Sequence, residues 1–376
     1  IVLVGSNLAW CHPVLHQRIA AAKERRPEMR IVNIDPRKTA TTALADQHLR
    51  IAPDGDIALF NGLLAHLADT DGLDHDYLQN HISGCQSAVE QARLGEPLES
   101  GLSQHELEQF YTLWAGTKKV VTVYSQGVNQ SACGTDKVNA ILNCHLATGR
   151  IGRPGCGPFS VTGQPNAMGG REVGGMANML ANHLDIENPA HRARVQEFWQ
   201  SPTICTRPGL KAVDLFQACA SGKIKALWVI STNPAVSLPD ADGVAEAIAA
   251  VPFVVVSDIM ARTDTGDLAH VLLPATGWGE KDGTVTNSER RISRQRAFLP
   301  APDEARADWQ IICDLAARMG WKAAFDYASP AEIFAEYLAL SAATPDFCRD
   351  LDLSIFADAD YANLIPTQWP RNGQRF

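Results

Sequence analysis

Short apolar runs alternate along the chain with stretches whose apolar residues recur at helical spacing. The run Ile1–Val4 precedes a predicted helix over Val14–Lys23, and Ile31–Ile34 follows as a second apolar run. Runs of this length are typical of buried strands in a parallel sheet, and the 3.6-residue period is typical of amphipathic helices. The alternation therefore predicts an α/β fold with right-handed crossovers between parallel strands.

The same alternation continues to the far end of the chain. Residues 69–117 are predicted to be largely helical, and the tail from Phe356 is predicted to be loop. The fold class we expect is α/β, with two doubly wound, mostly parallel-sheet domains at residues 1–156 and 157–376. The other predicted strands are Val120–Tyr124, Ala226–Ile230, Phe253–Val256 and Val271–Pro274, and the other predicted helices are Ile57–Leu67, Val138–Leu146, Gly243–Ala250 and Ala305–Met319.

A glycine-rich run separates the two predicted domains. Between residues 149 and 175, nine of 27 residues are glycine, and Pro, Arg, Gln, Asn and Glu interrupt them. We expect this run to be neither helix nor strand, and its backbone to pass close to another group.

Two strand–turn–helix–strand units resemble each other. In the first, a strand ends at Gly5-Ser6-Asn7 and the next strand ends at Asp35, 28 residues after Asn7. In the second, a strand ends at Ser231-Thr232-Asn233 and the next strand ends at Asp258, 25 residues after Asn233. Small residues at such a turn let backbone N–H groups approach a phosphate, and the carboxylate can accept from a ribose or a base. Two units predict two nucleotide ends, although neither has the full G-x-G-x-x-G pattern and each could be an ordinary turn.

Composition narrows the choice of function. The chain has 376 residues, 45% hydrophobic and 20% charged, and its formal net charge of −9 argues against a nucleic-acid partner. Its nine cysteines form no C-x-x-C pair, so they match neither a zinc nor an iron–sulfur pattern. Scattered thiols suit a reducing compartment, and no apolar stretch approaches the ~20 residues of a membrane span. We therefore expect a cytoplasmic protein that uses no membrane.

Several motifs resemble, in the same order, those of the molybdenum enzymes that carry bis(molybdopterin guanine dinucleotide), bis-MGD. The run Gly163–Gly174 is similar in detail to the bacterial assimilatory nitrate reductase branch. The other matching segments are Val4–Pro13, Ile34–Arg37, Gly127–Gln130, Glu280–Arg291 and Pro366–Pro370. The resemblance implies the fold of that family's two central domains, as in formate dehydrogenase and DMSO reductase.

The resemblance also implies a set of cofactor-binding residues. One nucleotide arm would be held by Val4, Gly5, Ser6, Asn7, Leu8, Ala9, Trp10 and Cys11, with Asp35, Pro36, Arg37, Asp54, Gly55 and Asp56. Gln126, Gly127 and Gln130 would line the pterin near the metal, and Asn233, Ser257, Asp258, Lys281 and Asp308 would hold the other arm. Lys281 could instead be a solvated charge, and Asp308 a first-turn helix charge.

Arg171 is the candidate catalytic residue. A guanidinium in a glycine-rich funnel can orient a planar oxyanion such as nitrate through two parallel hydrogen bonds. The alternative is an ion pair with Glu172. By the resemblance, the intact enzyme reduces nitrate to nitrite by oxygen-atom transfer at molybdenum. A [4Fe–4S] cluster supplies the electrons, which come from ferredoxin, flavodoxin or an NADH-linked reductase.

The chain departs from the family pattern at both ends. It opens directly on an apolar strand, and it has neither the family's N-terminal cysteine cluster for [4Fe–4S] nor the upstream residue that ligates molybdenum. The C-terminal domain that closes over the cofactor is also missing, and no metal ligand is assigned within the chain. We therefore expect a segment of a longer protein that alone binds the cofactor weakly and has no turnover. A formate dehydrogenase of the same family and a non-catalytic electron-transfer scaffold remain alternatives.

Overall fold

The computed structural model describes residues 1–347 and 351–370, which belong to two compact units. Unit 1 comprises Ile1–Pro165, and unit 2 begins at Asn166. The domain boundary predicted from the sequence lies between residues 156 and 157. The strand Gly157–Ser160 pairs with Val121–Tyr124, which keeps it in the sheet of unit 1.

Unit 1 is built on a five-stranded, wholly parallel sheet whose strand order is β3-β2-β1-β4-β5. Its strands are β1 (Val2–Val4), β2 (Val32–Ile34), β3 (Gln47–Leu49), β4 (Val121–Tyr124) and β5 (Gly157–Ser160). The chain winds outward from β1 to β3 and then returns to the opposite side of β1 with β4. The carboxyl ends of β1 and β4 therefore form the topological switch point, where open α/β sheets bind ligands.

Eight α-helices lie in the described part of unit 1, and a side-chain cap explains where α6 starts. α6 begins after Ser103, whose Oγ accepts from the Glu106 backbone N–H while the Glu106 carboxylate accepts from the Ser103 backbone N–H. The predicted helical content of residues 69–117 is confirmed. The helices are α1 (Leu8–Cys11), α2 (Pro13–Arg25), α3 (Asp56–Asp69), α4 (His75–His81), α5 (Cys85–Arg93), α6 (Gln104–Gly116), α7 (Gln126–Asn129) and α8 (Gly134–Ala147).

Unit 2 contains a three-stranded parallel sheet of order β6-β7-β8 and a separate antiparallel sheet of order β9-β10-β11. The strands are β6 (Ala226–Ile230), β7 (Phe253–Asp258), β8 (Val271–Pro274), β9 (Gly283–Thr286), β10 (Arg291–Gln295) and β11 (Thr367–Gln368). The helices are α9 (Ala167–Glu172), α10 (Pro189–Trp199), α11 (Ala212–Ala220), α12 (Pro234–Ser237), α13 (Ala241–Ala249), α14 (Asp308–Arg318) and α15 (Pro330–Ala343).

Each parallel sheet has its own apolar core. In unit 1, α3 and α6 pack on one face of the sheet through Leu59, Phe60, Leu63, Phe110 and Trp114, all of them buried. In unit 2, α11 and α13 pack against β6 and β7, and residues of α15 form a further cluster with Ile292 and the C-terminal segment. The α/β class predicted from the alternating pattern is confirmed in both units.

Two predictions from the sequence were wrong, and one strand was missed. The glycine-rich run is not free of regular structure, because Gly157–Ser160 gains ladder hydrogen bonds from β4 and Ala167–Glu172 forms α9. The edge strand β3 was not expected, since two of its three residues, Gln47 and His48, are polar, and the segment becomes a strand by pairing with β2. The predicted loop after Phe356 contains β11, which pairs with β10. For the three strands β3, β5 and β11, pairing with a neighbouring strand overrode local preference.

Within the described ranges, every helix is too short or too polar to cross a membrane. Eight of the nine cysteines lie in these ranges as free thiols, and Cys348 lies outside them.

Candidate functional site

Two glycines bring the loops after β1 and β4 into backbone contact at the switch point of unit 1. A Cβ placed on Gly5 would lie 2.8 Å from the Gly127 Cα, and one placed on Gly127 would lie 2.7 Å from the Gly5 Cα. Gly5 has a φ of +52°, and its carbonyl accepts from the Gly127 N–H at 3.1 Å. Only glycine permits both this conformation and this approach. Both glycines are among the residues predicted to bind the cofactor, and the structure brings them together.

Asn7 is held by a buried threonine that the sequence analysis missed. Thr41 is fully buried in the 3-10 helix Ala40–Leu44, and its hydroxyl donates to Asn7 Oδ1 at 2.9 Å. The same hydroxyl accepts from the Ala9 N–H at 3.0 Å. The turn and the start of α1 are thus tied to the segment that follows β2.

The other residues of the first turn differ in how far their side chains are exposed to solvent. The side chains of Val4 and Leu8 are fully buried in the core, so these residues can meet a ligand only through their backbone. Trp10 and Cys11 are exposed. The Oγ of Ser6 is buried and has no hydrogen-bond partner among the described residues, which leaves one donor at the turn unused.

At the tip of β2, Asp35 forms a local turn. Its Oδ1 accepts from the Arg37 N–H at 2.9 Å, and its backbone carbonyl accepts from His48 Nε2 at 3.0 Å. Asp35 is buried, Pro36 is half-buried and Arg37 is exposed. The structure therefore places a carboxylate beside the Gly5 turn, since the Gly5 N–H donates to the carbonyl of Ile34.

The segment Asp54-Gly55-Asp56 is organised by Lys137 of α8, another residue that sequence reasoning missed. Lys137 Nζ lies 2.7 Å from Asp54 Oδ1 and 3.0 Å from Asp56 Oδ2. The side chains of Lys137 and Asp56 are 3% and 9% exposed, whereas that of Asp54 is 71% exposed. Gly55 has no room for a Cβ, which would lie 2.8 Å from the Ser100 Cα. The ion pair leaves only Asp54 accessible.

Burial and the neighbouring opposite charge shift the pKa values of this cluster in opposite directions. Burial raises the pKa of Asp56 above its usual range, although the hydrogen bond from Lys137 opposes the shift. Burial alone would lower the pKa of Lys137, but its bonds to Asp54 and Asp56 raise it. The hydrogen bond from Lys137 lowers the pKa of the exposed Asp54. The cluster is held by a protonated lysine between two carboxyl groups.

The predicted pterin-lining residues follow β4 on the short helix α7. Ser125 is buried, its Oγ donates to the carbonyl of Val161 at 2.6 Å, and the same Oγ contacts the side-chain amide of Gln126. Gln126 is half-buried, while Gly127 and Gln130 are exposed. These three residues therefore lie at the carboxyl edge of β4, beside the Gly5 turn.

The second turn, in unit 2, carries the corresponding hydrogen bonds. Asn233 Oδ1 accepts from the Thr265 backbone N–H at 3.2 Å and from its Oγ1 at 2.6 Å. Thr265 is fully buried, and its Oγ1 accepts from the Ala235 N–H at 3.1 Å. Ser231 has a φ of +57°, and its N–H donates to the carbonyl of Ser257 at 2.9 Å.

Ser257 and Asp258 lie at the end of β7. The Ser257 hydroxyl is buried and accepts from Trp228 Nε1 at 2.8 Å. Asp258 is half-buried, and its Oδ1 accepts from the Met260 N–H at 3.0 Å. The carboxylate of Asp258 thus accepts from the N–H two residues later, as that of Asp35 does in unit 1.

Lys281 and Asp308, both assigned to the second arm, contact each other. Lys281 Nζ lies 3.3 Å from Asp308 Oδ2, and both side chains are partly buried. Asp308 Oδ1 is buried and has no partner among the described residues, so one carboxylate oxygen remains free to accept. Lys281 is therefore not an isolated solvated charge.

Arg171 and Glu172 of α9 point to different surroundings. Glu172 is buried and accepts from Trp369 Nε1 at 2.7 Å, Thr286 Oγ1 at 2.9 Å and Tyr337 OH at 3.1 Å. Burial raises the pKa of Glu172, while these three bonds oppose the shift. Arg171 is exposed, and Nη1 lies 3.8 Å from Met168 Sδ. Within the described part of the chain Arg171 has no carboxylate partner, so the ion pair with Glu172 is not formed.

Close packing explains some glycines near Arg171. A Cβ on Gly169 would lie 2.1 Å from Asn166 Oδ1, which accepts from the Thr286 N–H at 2.8 Å. Gly174 has a φ of +76°, and a Cβ there would lie 2.5 Å from the Ala181 N. The close approaches of these two glycines are to the chain itself.

In the described residues, histidine, cysteine, aspartate and glutamate form no cluster that could hold a metal ion.

Comparisons with known proteins match this chain to one family of enzymes. The model of the molybdopterin oxidoreductase family matches residues 1–318. A nitrate reductase of Klebsiella oxytoca is 50% identical over 98% of this chain, which spans 43% of that protein. The assimilatory nitrate reductase catalytic subunit of Bacillus subtilis is 36% identical over 89% of the chain, which spans 48% of that protein.

Two further matches are a more distant sequence and a solved structure. The alpha subunit of an F420-dependent formate dehydrogenase from Methanococcus maripaludis is 31% identical over 92% of the chain and 51% of its own length. The structure of acetylene hydratase from Pelobacter acetylenicus matches the fold with a TM-score of 0.72 and 15% identity, over 95% of this chain and 51% of that one. The chain therefore spans about half the length of these relatives. The match over residues 1–318 and the 50% identity show that the chain belongs to the molybdopterin oxidoreductase family.

Proposed function

We propose that the chain provides the two nucleotide-arm domains of a molybdenum-dependent nitrate reductase and holds a bis-MGD cofactor. The observation that carries the nitrate assignment is the 50% identity to a nitrate reductase over 98% of the chain. In the protein that contains this chain, a [4Fe–4S] cluster and an electron-donor protein (ferredoxin, flavodoxin or an NADH-linked reductase) deliver electrons. The site of action is the cytoplasm.

The residues present fit such a cofactor. In unit 1, the turn from Val4 to Cys11, the tip Asp35–Arg37 and the segment Asp54–Asp56 would hold one arm, and Gln126, Gly127 and Gln130 would line the pterin. The buried, unpartnered Oγ of Ser6 is a donor that a phosphate oxygen would satisfy. In unit 2, Asn233, Ser257, Asp258, Lys281 and Asp308 would hold the other arm. The unpartnered Oδ1 of Asp308 is an acceptor suited to a guanine N–H.

When bound, the cofactor supplies two-electron oxygen-atom transfer, so that nitrate, two protons and two electrons give nitrite and water. The protein supplies binding, orientation and electrostatics. Arg171 is exposed and has no carboxylate partner among the described residues. Its planar guanidinium can therefore donate two parallel hydrogen bonds to two oxygens of nitrate. These observations support the proposal that Arg171 orients the substrate.

A formate dehydrogenase is the alternative within the family. The formate dehydrogenase subunit is 31% identical, against 50% for the nitrate reductase, and this difference favours nitrate. A non-catalytic scaffold would contain no molybdenum. Molybdenum analysis of the intact protein, with nitrate and formate assayed as substrates, separates the three functions.

The test of Arg171 compares Arg171→Lys with Arg318→Lys in the intact protein. Arg318 is an exposed arginine on α14, 3.9 Å from Asp314. We expect Arg171→Lys to lower kcat/KM for nitrate by about 10- to 100-fold, since lysine cannot form the parallel pair. Arg318→Lys should match the wild type in nitrate-dependent oxidation of reduced methyl viologen. Equal kinetics for all three proteins would remove Arg171 from the mechanism, and absence of nitrate reduction by the wild type would refute the proposed function.

A further inference from the structure

The turns at Asn7 and Asn233 share two side-chain hydrogen bonds between corresponding atoms. In both, the asparagine Oδ1 accepts from the hydroxyl of a fully buried threonine, at 2.9 Å in unit 1 and 2.6 Å in unit 2. In both, that hydroxyl accepts from the N–H two residues after the asparagine, at 3.0 Å for Ala9 and 3.1 Å for Ala235. Each unit therefore contains the same three-residue clamp.

The backbone around the two clamps also matches. The first residue of each turn, Gly5 or Ser231, has a left-handed φ of +52° or +57° and donates its N–H to the neighbouring strand. The strand triplets β3-β2-β1 and β8-β7-β6 are both parallel and have the same order. A non-glycine residue at positive φ is strained, so Ser231 keeps this conformation because the surrounding contacts impose it.

The clamp determines which end of each asparagine amide faces outward. Asn233 Oδ1 also accepts from the backbone N–H of Thr265, a group that can only donate, so the oxygen side is assigned unambiguously. The Nδ2 groups of Asn7 and Asn233 have no acceptor among the described residues, and both side chains are half-buried. Each clamp thus presents a free N–H₂ donor at the carboxyl edge of its sheet.

We propose that Thr41 and Thr265 are equivalent positioning residues for the two arms of the cofactor. Each threonine holds its asparagine so that Nδ2 donates to an acceptor oxygen of a guanine nucleotide. The inference rests on the proposed function, because it requires that each turn meets one nucleotide arm. It adds that the two ends of the ligand are recognised by the same donor.

The chain offers a matched control in the neighbouring Thr42. Thr42 is also buried in the 3-10 helix after β2, and its hydroxyl makes the same kinds of bond, accepting from the Thr39 N–H at 3.1 Å and donating to Asn33 Oδ1 at 2.8 Å. Its partner Asn33 lies inside β2 and away from the turn. Thr41→Val and Thr42→Val therefore remove comparable hydrogen bonds, but only the first releases Asn7.

The experiment measures acid-released GMP per chain in the intact protein, purified after production with limiting cofactor. We expect Thr41→Val and Thr265→Val to lower the GMP content about tenfold, equivalent to about 1.4 kcal/mol. Thr41→Ser and Thr265→Ser keep the hydroxyl, so these variants should have the GMP content of the wild type. Thr42→Val should retain wild-type GMP even if its melting temperature falls as far as that of Thr41→Val.

Two results would overturn the inference. One is wild-type GMP content in Thr41→Val and Thr265→Val, and the other is an equal loss in Thr42→Val, which would reduce the effect to general destabilisation. Absence of GMP from the wild-type protein would instead refute the proposed function. The serine variants distinguish orientation of the asparagine from mere packing of the threonine methyl group.

Discussion

Removing the Lys137 ammonium should destabilise unit 1 strongly, because it leaves a buried carboxylate without its counter-ion. Lys137 Nζ lies 3.0 Å from Asp56 Oδ2, and the two side chains are 3% and 9% exposed. Deleting one partner of a buried ion pair costs about 3–5 kcal/mol. We therefore expect Lys137→Met to lower the free energy of unfolding of unit 1 by that amount. Asp54 is mostly exposed and contributes far less.

Native-state hydrogen exchange of the amides in β1 and α8 measures this change directly. A loss of 3–5 kcal/mol speeds exchange through global opening of unit 1 by roughly two to three and a half powers of ten. Lys118→Met, at an exposed lysine of the same unit, is the control and should leave exchange unchanged. Lys137→Met combined with Asp56→Asn should recover part of the loss, because a neutral amide needs no counter-ion.

The pH dependence gives a second measure of the same contact. Burial already raises the pKa of Asp56, and removal of Lys137 should raise it further. A carboxyl whose folded pKa is raised favours the folded state when protonated, and this stability is lost as the pH rises through the folded pKa. The defect of Lys137→Met should therefore be large at neutral pH and shrink in acid. A loss below about 1 kcal/mol at pH 7, or one independent of pH, would refute the reasoning.

Four further predictions concern closely packed or buried residues. Gly5→Ala combines a left-handed φ with a contact of 2.8 Å to Gly127, so it should lower the melting temperature, whereas Gly116→Ala, with nothing within 4 Å, should not. Glu172→Leu leaves the buried donors Thr286 Oγ1 and Trp369 Nε1 without their acceptor and should cost about 2–4 kcal/mol in urea unfolding of unit 2. Burial raises the pKa of Glu172 above the ordinary glutamate pKa of 4.5, so the free energy of unfolding of the wild type should fall as the pH rises above 4.5. Glu172→Gln should flatten this dependence of stability on pH. Burial lowers the pKa of His145 to about 3, so its NMR signals should not titrate between pH 5 and 8, and a midpoint in that range would contradict the packing.

Local pattern was enough to predict the α/β class and the resemblance between the two turns. The strand ends at Asn7 and Asn233, and the acidic tips at Asp35 and Asp258, were all readable as short motifs. Their partners Thr41 and Thr265 were not, because each hydrogen bond joins residues 34 or 32 positions apart. One signal could have found them, since Thr39-Ala40-Thr41 and Thr263-Asp264-Thr265 follow the acidic tips at similar distances.

Other parts of the site depend on contacts that sequence spacing does not reveal. Lys137 reaches Asp54 across 83 residues, through the packing of α8 against α3. The glycine-rich run looked irregular because its composition disfavours both helix and strand. Pairing with β4 nevertheless makes Gly157–Ser160 a strand, and the contact of Gly169 with Asn166 requires glycine within α9.

The ratio of guanine nucleotide to molybdenum in the intact protein tests the central claim most directly. If the two equivalent turns each hold one arm of a bis-MGD cofactor, acid hydrolysis releases two GMP for each molybdenum. A ratio of one, or a protein that carries molybdenum without guanine nucleotide, would contradict the account.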